Sequence, residues 1–166
     1  MPMRRAAVLL AGAFLGCAYP TMARASLAQH ILTAWPGRWS CVALTSTTLP
    51  VKLTMRAATY GPWVQFRGNE PAHDGNPART FVMLVTYSRH AKKWLIDSYS
   101  DRGGVILSNS AAGPDQRRQT WINIYPVDPA QEPGTIVMGE TTWNTYDAWT
   151  AHGKRITAHT SCKKLP

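Results

Sequence analysis

Cys41 and Cys162 are the side chains whose chemistry this sequence constrains most tightly. Cys41 follows Trp39 at the start of a strand-rich segment, and Cys162 lies close to the C-terminus. Cys17 falls in an apolar N-terminal stretch that has the features of an export signal. Loss of that stretch would leave an even number of cysteines in an oxidising compartment, which favours a disulfide over two free thiols. We predict a bond between Cys41 and Cys162.

The sequence contains no clear motif for a metal site or for catalysis. The histidines are scattered, no Cys/His cluster has metal-ligand spacing, and we predict no metal site. Most carboxylates fall in turns, where Asp bonds the local backbone, and Asp97 is the exception because it lies within a predicted strand. No serine sits in a Gly-x-Ser-x-Gly pattern. The sequence therefore predicts a protein that is not an enzyme and carries no cofactor.

Aromatic residues on alternating strand positions could instead bind a ligand. Seven tryptophans are many for a chain of 166 residues, and ligand pockets are typically apolar and aromatic. We predict an internal cavity that takes a small apolar molecule or lipid. Its predicted lining residues are Phe81, Met83, Tyr87, Trp94, Trp121 and Tyr125. The alternative is that these side chains simply fill the core.

The first 25 residues read as a signal peptide. The chain opens with Met-Pro-Met-Arg-Arg, continues with an apolar run and reaches Ala23-Arg24-Ala25, which is the order of a secretory signal. Cleavage after Ala25 would release residues 26–166 as one domain, secreted or periplasmic. A lipoprotein acylated at Cys17 is the less favoured alternative. No later segment is apolar and long enough for a transmembrane helix.

The charge balance is basic but spread along the chain. Lys and Arg number 18 and Asp and Glu 9, a formal net charge of +9, and losing Arg4, Arg5 and Arg24 would leave about +6. Basic residues occur at most as adjacent pairs, whereas nucleic-acid binders concentrate them on one face. We predict no nucleic-acid partner, a weak association with an anionic cell envelope at most, and a monomer.

Strand and turn signals dominate the rest of the chain. Ser26–Ala34 has a helical pattern with Ser26 as its cap, and Pro36 and Gly37 end it. Nine or ten strands follow, joined mostly by short connections, including a tight hairpin at His152-Gly153. Two of these predicted strands are Thr135–Thr142 and Thr145–Ala151. This order predicts an up-and-down antiparallel β-barrel of 8–10 strands with a short N-terminal helix. A two-layer sandwich is the alternative.

The segment Trp35-Pro36-Gly37-Arg38-Trp39 resembles the lipocalins and the wider calycin group, in which a short helix leads into Gly-x-Trp on the first strand. The resemblance implies that Trp39 plugs the closed end of the barrel and that Arg155, on the last strand, stacks on it. The Gly37-x-Trp39 motif and the position of His159 are also similar to those of nitrobindin-like barrels, which hold haem through a histidine near the C-terminus. That likeness makes His159 a candidate haem ligand.

A third function class is a cell-envelope interaction module without a ligand. Trp143, Tyr146 and Trp149 lie near the last two predicted strands and could form an exposed aromatic patch there. Ligand binding inside the barrel remains the favoured prediction, with haem binding and the interaction module as alternatives.

Overall fold

The computed structural model describes residues 25–166. The predicted signal peptide, apart from Ala25, and the alternative acylation site at Cys17 lie outside these residues. Within the described part of the chain, no helix has the length and apolar character needed to cross a membrane.

Ten antiparallel strands form a closed ring, as the sequence predicted. Each strand pairs with the next along the chain, and β1 pairs with β10 to close the sheet. Helix α1 spans Leu27–Ala34. The strands are β1 (Gly37–Thr45), β2 (Val51–Tyr60), β3 (Trp63–Glu70), β4 (Arg79–Ser88), β5 (Lys93–Ser100), β6 (Val105–Ser110), β7 (Arg118–Tyr125), β8 (Gly134–Met138), β9 (Thr142–Ala151) and β10 (Lys154–Lys164).

Alternation along each strand separates an inner face from an outer face. On β2, Val51, Leu53 and Met55 are buried and point inward, while Lys52 and Arg56 are exposed. Because directly paired residues lie on the same face of a sheet, the strand register extends this assignment from one strand to the next around the ring.

Helix α1 covers one end of the barrel. Ser26 caps the helix, and its side chain accepts a hydrogen bond from the Gln29 amide at 3.3 Å. The Leu27 amide donates to Asp115 Oδ1 at 2.8 Å, which ties the start of the helix to the β6–β7 loop. Ile31 is fully buried, so the apolar face of α1 lies against the barrel.

Aromatic side chains fill the interior beneath the helix. The Trp35 and Trp143 rings stack with centroids 5.3 Å apart, and Phe66 meets both edge-on. Trp39 is fully buried beside them, and its indole N–H donates to the Trp35 carbonyl at 2.9 Å. Trp39 therefore occupies the closed end, where the resemblance to the calycins placed it.

Candidate functional site

The barrel interior opens into a cavity at the end away from α1. Its volume is about 330 Å³. Inward-facing side chains of eight strands surround it, and only β7 and β8 contribute none. The apolar lining residues are Ala43, Leu53, Met55, Phe81, Met83, Ile106, Trp143 and Cys162. Ser98, Ser100, Thr145 and Thr160 add hydroxyl groups to this lining.

Trp143 forms the floor of the cavity, where the aromatic core ends. It packs on Trp35 and Phe66 on one side and lines the cavity on the other. The Trp143 side chain is buried, and its indole N–H has no hydrogen-bond partner among the described residues. This nitrogen exposes almost no surface, even toward the cavity, so Trp143 offers the cavity the apolar part of its ring and no hydrogen-bond donor.

Gly68 and Phe81 form one wall. They face each other across β3 and β4, and the phenyl ring lies over the glycine: a Cβ at Gly68 would be 2.2 Å from Phe81 Cζ. Only a glycine permits the ring to lie flat against the sheet at this point. The absence of a side chain at position 68 therefore leaves space in the cavity that the ring would otherwise take.

An ion pair stands at the open rim. Arg79 donates through Nε to Glu70 Oε2 at 2.9 Å, and Arg79 Nη2 lies 2.7 Å from the same oxygen. His73 Nε2 lies 3.5 Å from Glu70 Oε1. Glu70 and Arg79 both border the cavity, so its charged groups are at the mouth and apolar and hydroxyl groups line it deeper in.

The six residues predicted to bind ligand do not lie together. Phe81 and Met83 line the cavity. Tyr87 and Trp94 contact each other edge-on, 5.6 Å apart, at the closed end, and Trp121 is buried in the interior; none of these three lines the cavity.

Tyr125 does not lie in the interior, and its assignment as a lining residue was wrong. It exposes 58% of its surface at the end of β7. A β-bulge between Leu107 and Ser108 places Tyr125 opposite Leu107, whereas simple alternation from Trp121 would carry it inward. The bulge changes the face of the last residue of the strand.

Arg155 does not stack on Trp39, so this part of the calycin resemblance fails. Arg155 pairs with Thr150 near the β9–β10 hairpin, and its guanidinium donates to both Glu132 oxygens at 2.6 and 2.7 Å. These bonds lower the pKa of the Glu132 carboxyl. The basic residue opposite Trp39 is Lys164.

Lys164 supplies the basic group at the closed end. Its Nζ donates to the Ala34 carbonyl at 2.5 Å, at the C-terminal end of α1. Its side chain also passes over Gly37, where a Cβ would be 2.8 Å from Lys164 Cε. The backbone φ of Gly37 is 140°, so both its conformation and this close approach require glycine. The Gly37-x-Trp39 motif thus has a structural role here.

His159 lies on the outside of the barrel. It pairs with Leu44 and Tyr146, which are both exposed, and its ring stacks on Tyr146 with centroids 4.5 Å apart. Inward positions on β10 have even numbers, as Cys162 shows. A haem held inside the barrel would therefore have no proximal ligand in His159, and that alternative was wrong.

The structure joins Cys41 and Cys162 by a disulfide with an S–S distance of 2.01 Å. The two residues are directly opposite on β1 and β10, and both are buried. The bond therefore crosses the seam where the last strand meets the first. Its Cys162 end lines the cavity, so the disulfide is part of the cavity wall.

The proposed exposed patch of Trp143, Tyr146 and Trp149 does not form. Trp143 points inward and is buried, whereas Tyr146 is 46% exposed on the outer face. Trp149 is half-buried and pairs with Gln131 in an isolated bridge. Side chains alternate along β9, so the odd-numbered Trp143 and Trp149 lie on one side of the sheet and the even-numbered Tyr146 lies on the other.

Two carboxyl groups have a raised pKa, and neither borders the cavity. Burial raises the pKa of Asp147 on β9, against a smaller lowering by a hydrogen bond from Thr145. Burial also raises the pKa of Asp97, which lies on the outer face between Leu84 and Leu107. In the described residues, no group of three or more His, Cys, Asp or Glu side chains has the geometry to hold a metal ion.

Sequence reasoning missed most of the lining. Leu53 and Met55 could have been identified from the alternation of apolar and polar residues along β2. Ile106 and Thr160 have no such signal, because both faces of β6 carry apolar residues and β10 is largely polar. Trp143 was missed because its strand was predicted to begin after it.

A second, larger groove of about 810 Å³ runs along α1 at the closed end of the barrel. It lies between the helix and the turns of the β2–β3 and β4–β5 hairpins, and Tyr87 and His90 border it. Its lining mixes apolar side chains, among them Leu32, Trp63 and Val64, with hydroxyl, amide and charged groups. The interior cavity is the better candidate site, because inward-facing side chains of a closed sheet surround it.

Comparisons with known proteins support the architecture. No protein-family model matches the sequence, and no curated protein matches it. Among solved structures, EF1p2_mFAP2b bound to DFHBI is similar over 84% of this chain and 100% of its own, with 10% identity and a TM-score of 0.50. A redesigned β-barrel matches over 82% of this chain and 96% of its own, with 9% identity and a TM-score of 0.48. At 10% identity, the likeness to EF1p2_mFAP2b shows a shared fold alone.

Proposed function

We propose that this protein is a binding protein, not an enzyme, and that it holds a small, largely apolar molecule in the cavity at the open end of the barrel. The observation that carries the proposal is the cavity itself. Its volume of about 330 Å³ falls at the lower end of the range for ligand pockets, roughly 300–1,000 Å³. The opposite end is filled by tryptophans and covered by α1, so a ligand would enter through the rim.

The lining defines the class of ligand. Met55, Met83 and Phe81 provide an apolar surface, and methionine side chains adapt to irregular shapes. Ser98 and Thr145 add hydroxyl groups to the wall, which suit a ligand with one hydrogen-bonding oxygen. The Glu70–Arg79 pair at the rim suits a polar group at the outer end. A compact aromatic compound with a carbonyl or phenol oxygen has these properties.

The similar barrel EF1p2_mFAP2b supports the proposal, since its structure contains the small molecule DFHBI. Its identity to this chain is 10%, so it supports ligand binding by this fold, and the class of ligand follows from the lining of the cavity. The Gly37-x-Trp39 motif, with Trp39 buried at the closed end, supports a lipocalin-like relationship. Together with the disulfide, it favours a secreted or periplasmic protein.

A matched pair of substitutions tests the site. Ser98→Leu adds apolar bulk to the cavity wall, whereas Ser161→Leu places the same side chain on the exposed outer face of β10. Each variant is titrated with a panel of small aromatic and aliphatic compounds while tryptophan fluorescence and melting temperature are recorded. Ligands of the unmodified protein should shift the emission because Trp143 forms the floor.

The expected result is at least one ligand whose affinity falls about tenfold in Ser98→Leu, which corresponds to roughly 1.4 kcal/mol, and stays unchanged in Ser161→Leu. Equal loss in both variants would place binding outside the cavity. A panel without any ligand that stabilises the protein would contradict the proposal.

A further inference from the structure

Three arginines stand side by side on the outer wall of the barrel. Arg38 on β1 is directly opposite Arg56 on β2, and Arg56 is directly opposite Arg67 on β3. All three are exposed and face outward. Directly opposite residues have Cβ atoms roughly 4.5–5.5 Å apart, so three guanidinium groups lie in one row across three strands. We call these residues the arginine row.

The arginine row has no acidic partner in the described structure. None of its members forms an ion pair there; Arg67 donates instead to the neutral amide oxygen of Gln65 at 3.0 Å. The outward positions of β1, β2 and β3 contain no Asp or Glu, and the one acid on these strands, Glu70, faces the cavity. The surrounding outward groups include two more cations, Lys52 and Lys163.

Like charges placed directly opposite each other destabilise a sheet. A fold that keeps three of them in a row, with no neutralising carboxylate, breaks a local rule of stability, and such violations concentrate at functional sites. Anions that bound along the row would remove the repulsion. We propose that the arginine row is a binding face for phosphate groups and that an anionic lipid surface supplies them.

The shape of the face favours a lipid surface over one free phosphate. Neighbouring strands are roughly 4.8 Å apart, so the row spans about 10 Å of the convex outer wall, and Lys52 and Lys163 extend this basic face beyond the width of one phosphate. Val42 and Leu44 on β1 are 40% and 43% exposed on the same side. Apolar side chains among cations suit the interfacial region of a bilayer and add nothing to contacts with the backbone of a nucleic acid.

The ring of strands offers a control on the opposite wall. Arg118 is an exposed, outward strand residue on β7, and β7 is five strands away from β2 in either direction around the barrel. Arg118→Gln removes the same charge as Arg56→Gln and leaves the row intact. Arg38, Arg56 and Arg67 are changed to Gln singly and together, and circular dichroism confirms that each variant folds.

Binding is measured by vesicle co-sedimentation of the protein produced from its full-length coding sequence. The probes are vesicles of phosphatidylcholine alone and of an equimolar mixture with phosphatidylglycerol, at about 0.1 M and about 0.5 M salt. Inorganic phosphate and a short single-stranded DNA are titrated separately. The unmodified protein should bind only the vesicles that contain phosphatidylglycerol, and binding should weaken at the higher salt.

Each Arg→Gln change in the row should weaken vesicle binding about fivefold, and the triple variant about a hundredfold. Arg118→Gln should change it by less than about twofold. Equal losses in Arg118→Gln and Arg56→Gln would show a response to net charge alone and overturn the proposal, as would no binding to the anionic vesicles. Row-dependent binding that is tighter to free phosphate or to DNA than to vesicles would overturn the lipid assignment.

Discussion

Replacing Gly68 by alanine should push the Phe81 ring into the ligand cavity. A Cβ at position 68 would lie 2.2, 2.5 and 2.7 Å from three carbon atoms of that ring. Carbon atoms prefer separations of about 3.5–4.0 Å, so the tip of the ring must retreat by at least about 1.3 Å. Gly68 belongs to the sheet that forms the wall, and the ring can therefore retreat only toward the cavity.

Two measurable effects follow from that displacement. Overpacking of this kind costs about 1–3 kcal/mol in the free energy of unfolding, which urea denaturation measures. The cavity of about 330 Å³ also loses volume, so a ligand that fills it should bind about tenfold more weakly by fluorescence titration. Gly113→Ala is the control, because a Cβ there has no neighbour within 4 Å; we expect a change within about 0.5 kcal/mol.

A double-mutant cycle decides whether the Phe81 ring is the cause. Phe81→Ala removes the ring, so the added methyl at position 68 should cost almost nothing in that background. The two substitutions should therefore show a coupling energy close to the full cost of Gly68→Ala alone. If Gly68→Ala is as destabilising without the ring as with it, the close approach of glycine and ring has no part in shaping the cavity.

Three further outcomes are expected. Replacing Cys41 and Cys162 together by alanine opens a loop of 121 residues and should lower the free energy of unfolding in urea by about 4–5 kcal/mol, whereas adding a reductant should leave this variant unchanged. Asp147→Asn should raise the melting temperature at neutral pH: burial raises the pKa of this carboxyl from 3.8, so folding favours its protonated form, and the gain should vanish as the pH falls below 3.8. Trp39→Ala should cost about 3–5 kcal/mol in the same urea assay, because it empties the closed end.

The overall architecture was predictable because local signals and one long-range signal agreed. Short connections between strands favour sequential antiparallel pairing, and the helix that Ser26 caps begins one residue later, at Leu27. The pairing of Cys41 with Cys162 required the first and last strands to be neighbours. A closed ring satisfies both requirements, and the structure shows that ring.

The inner face of each strand was predictable only where one face is clearly polar. On β2 the alternation of Leu53 and Met55 with Lys52 and Arg56 identifies which face points inward. On β7 the aromatic Trp121 and the exposed Ile122 and Ile124 make both faces apolar. The bulge that turns Tyr125 outward depends on pairing with β6, which no pattern within β7 encodes.

The boundary between β8 and β9 was wrong for a tertiary reason. The sequence predicted one strand over Thr135–Thr142 and another from Thr145, but β8 ends at Met138 and β9 begins at Thr142. The Gly139 amide bonds the Thr142 carbonyl to make the turn, and the Gly139 carbonyl accepts from the Trp35 indole at 2.8 Å. That contact joins residues far apart in the chain, so local propensity could not place Trp143 at the cavity floor.

The arginine row was invisible for the same kind of reason. Arg38, Arg56 and Arg67 have no basic neighbour in sequence, and they looked dispersed when charge was counted along the chain. Each lies on a different strand, and only the cross-strand register brings them together. A count of adjacent basic residues detects patches on helices and loops but cannot detect a row that runs perpendicular to the strands.

The two proposed sites use opposite faces of the same strand and should therefore act independently. On β2, Leu53 and Met55 face the cavity while Arg56 faces outward, and the sheet separates them. A lipid surface against the arginine row would contact the side wall of the barrel and leave the rim at Glu70 and Arg79 open. Ligand affinity measured with and without anionic vesicles should then agree within about twofold. A larger difference would mean that the bound surface reaches the mouth or deforms β2, and would contradict the separation of the two faces.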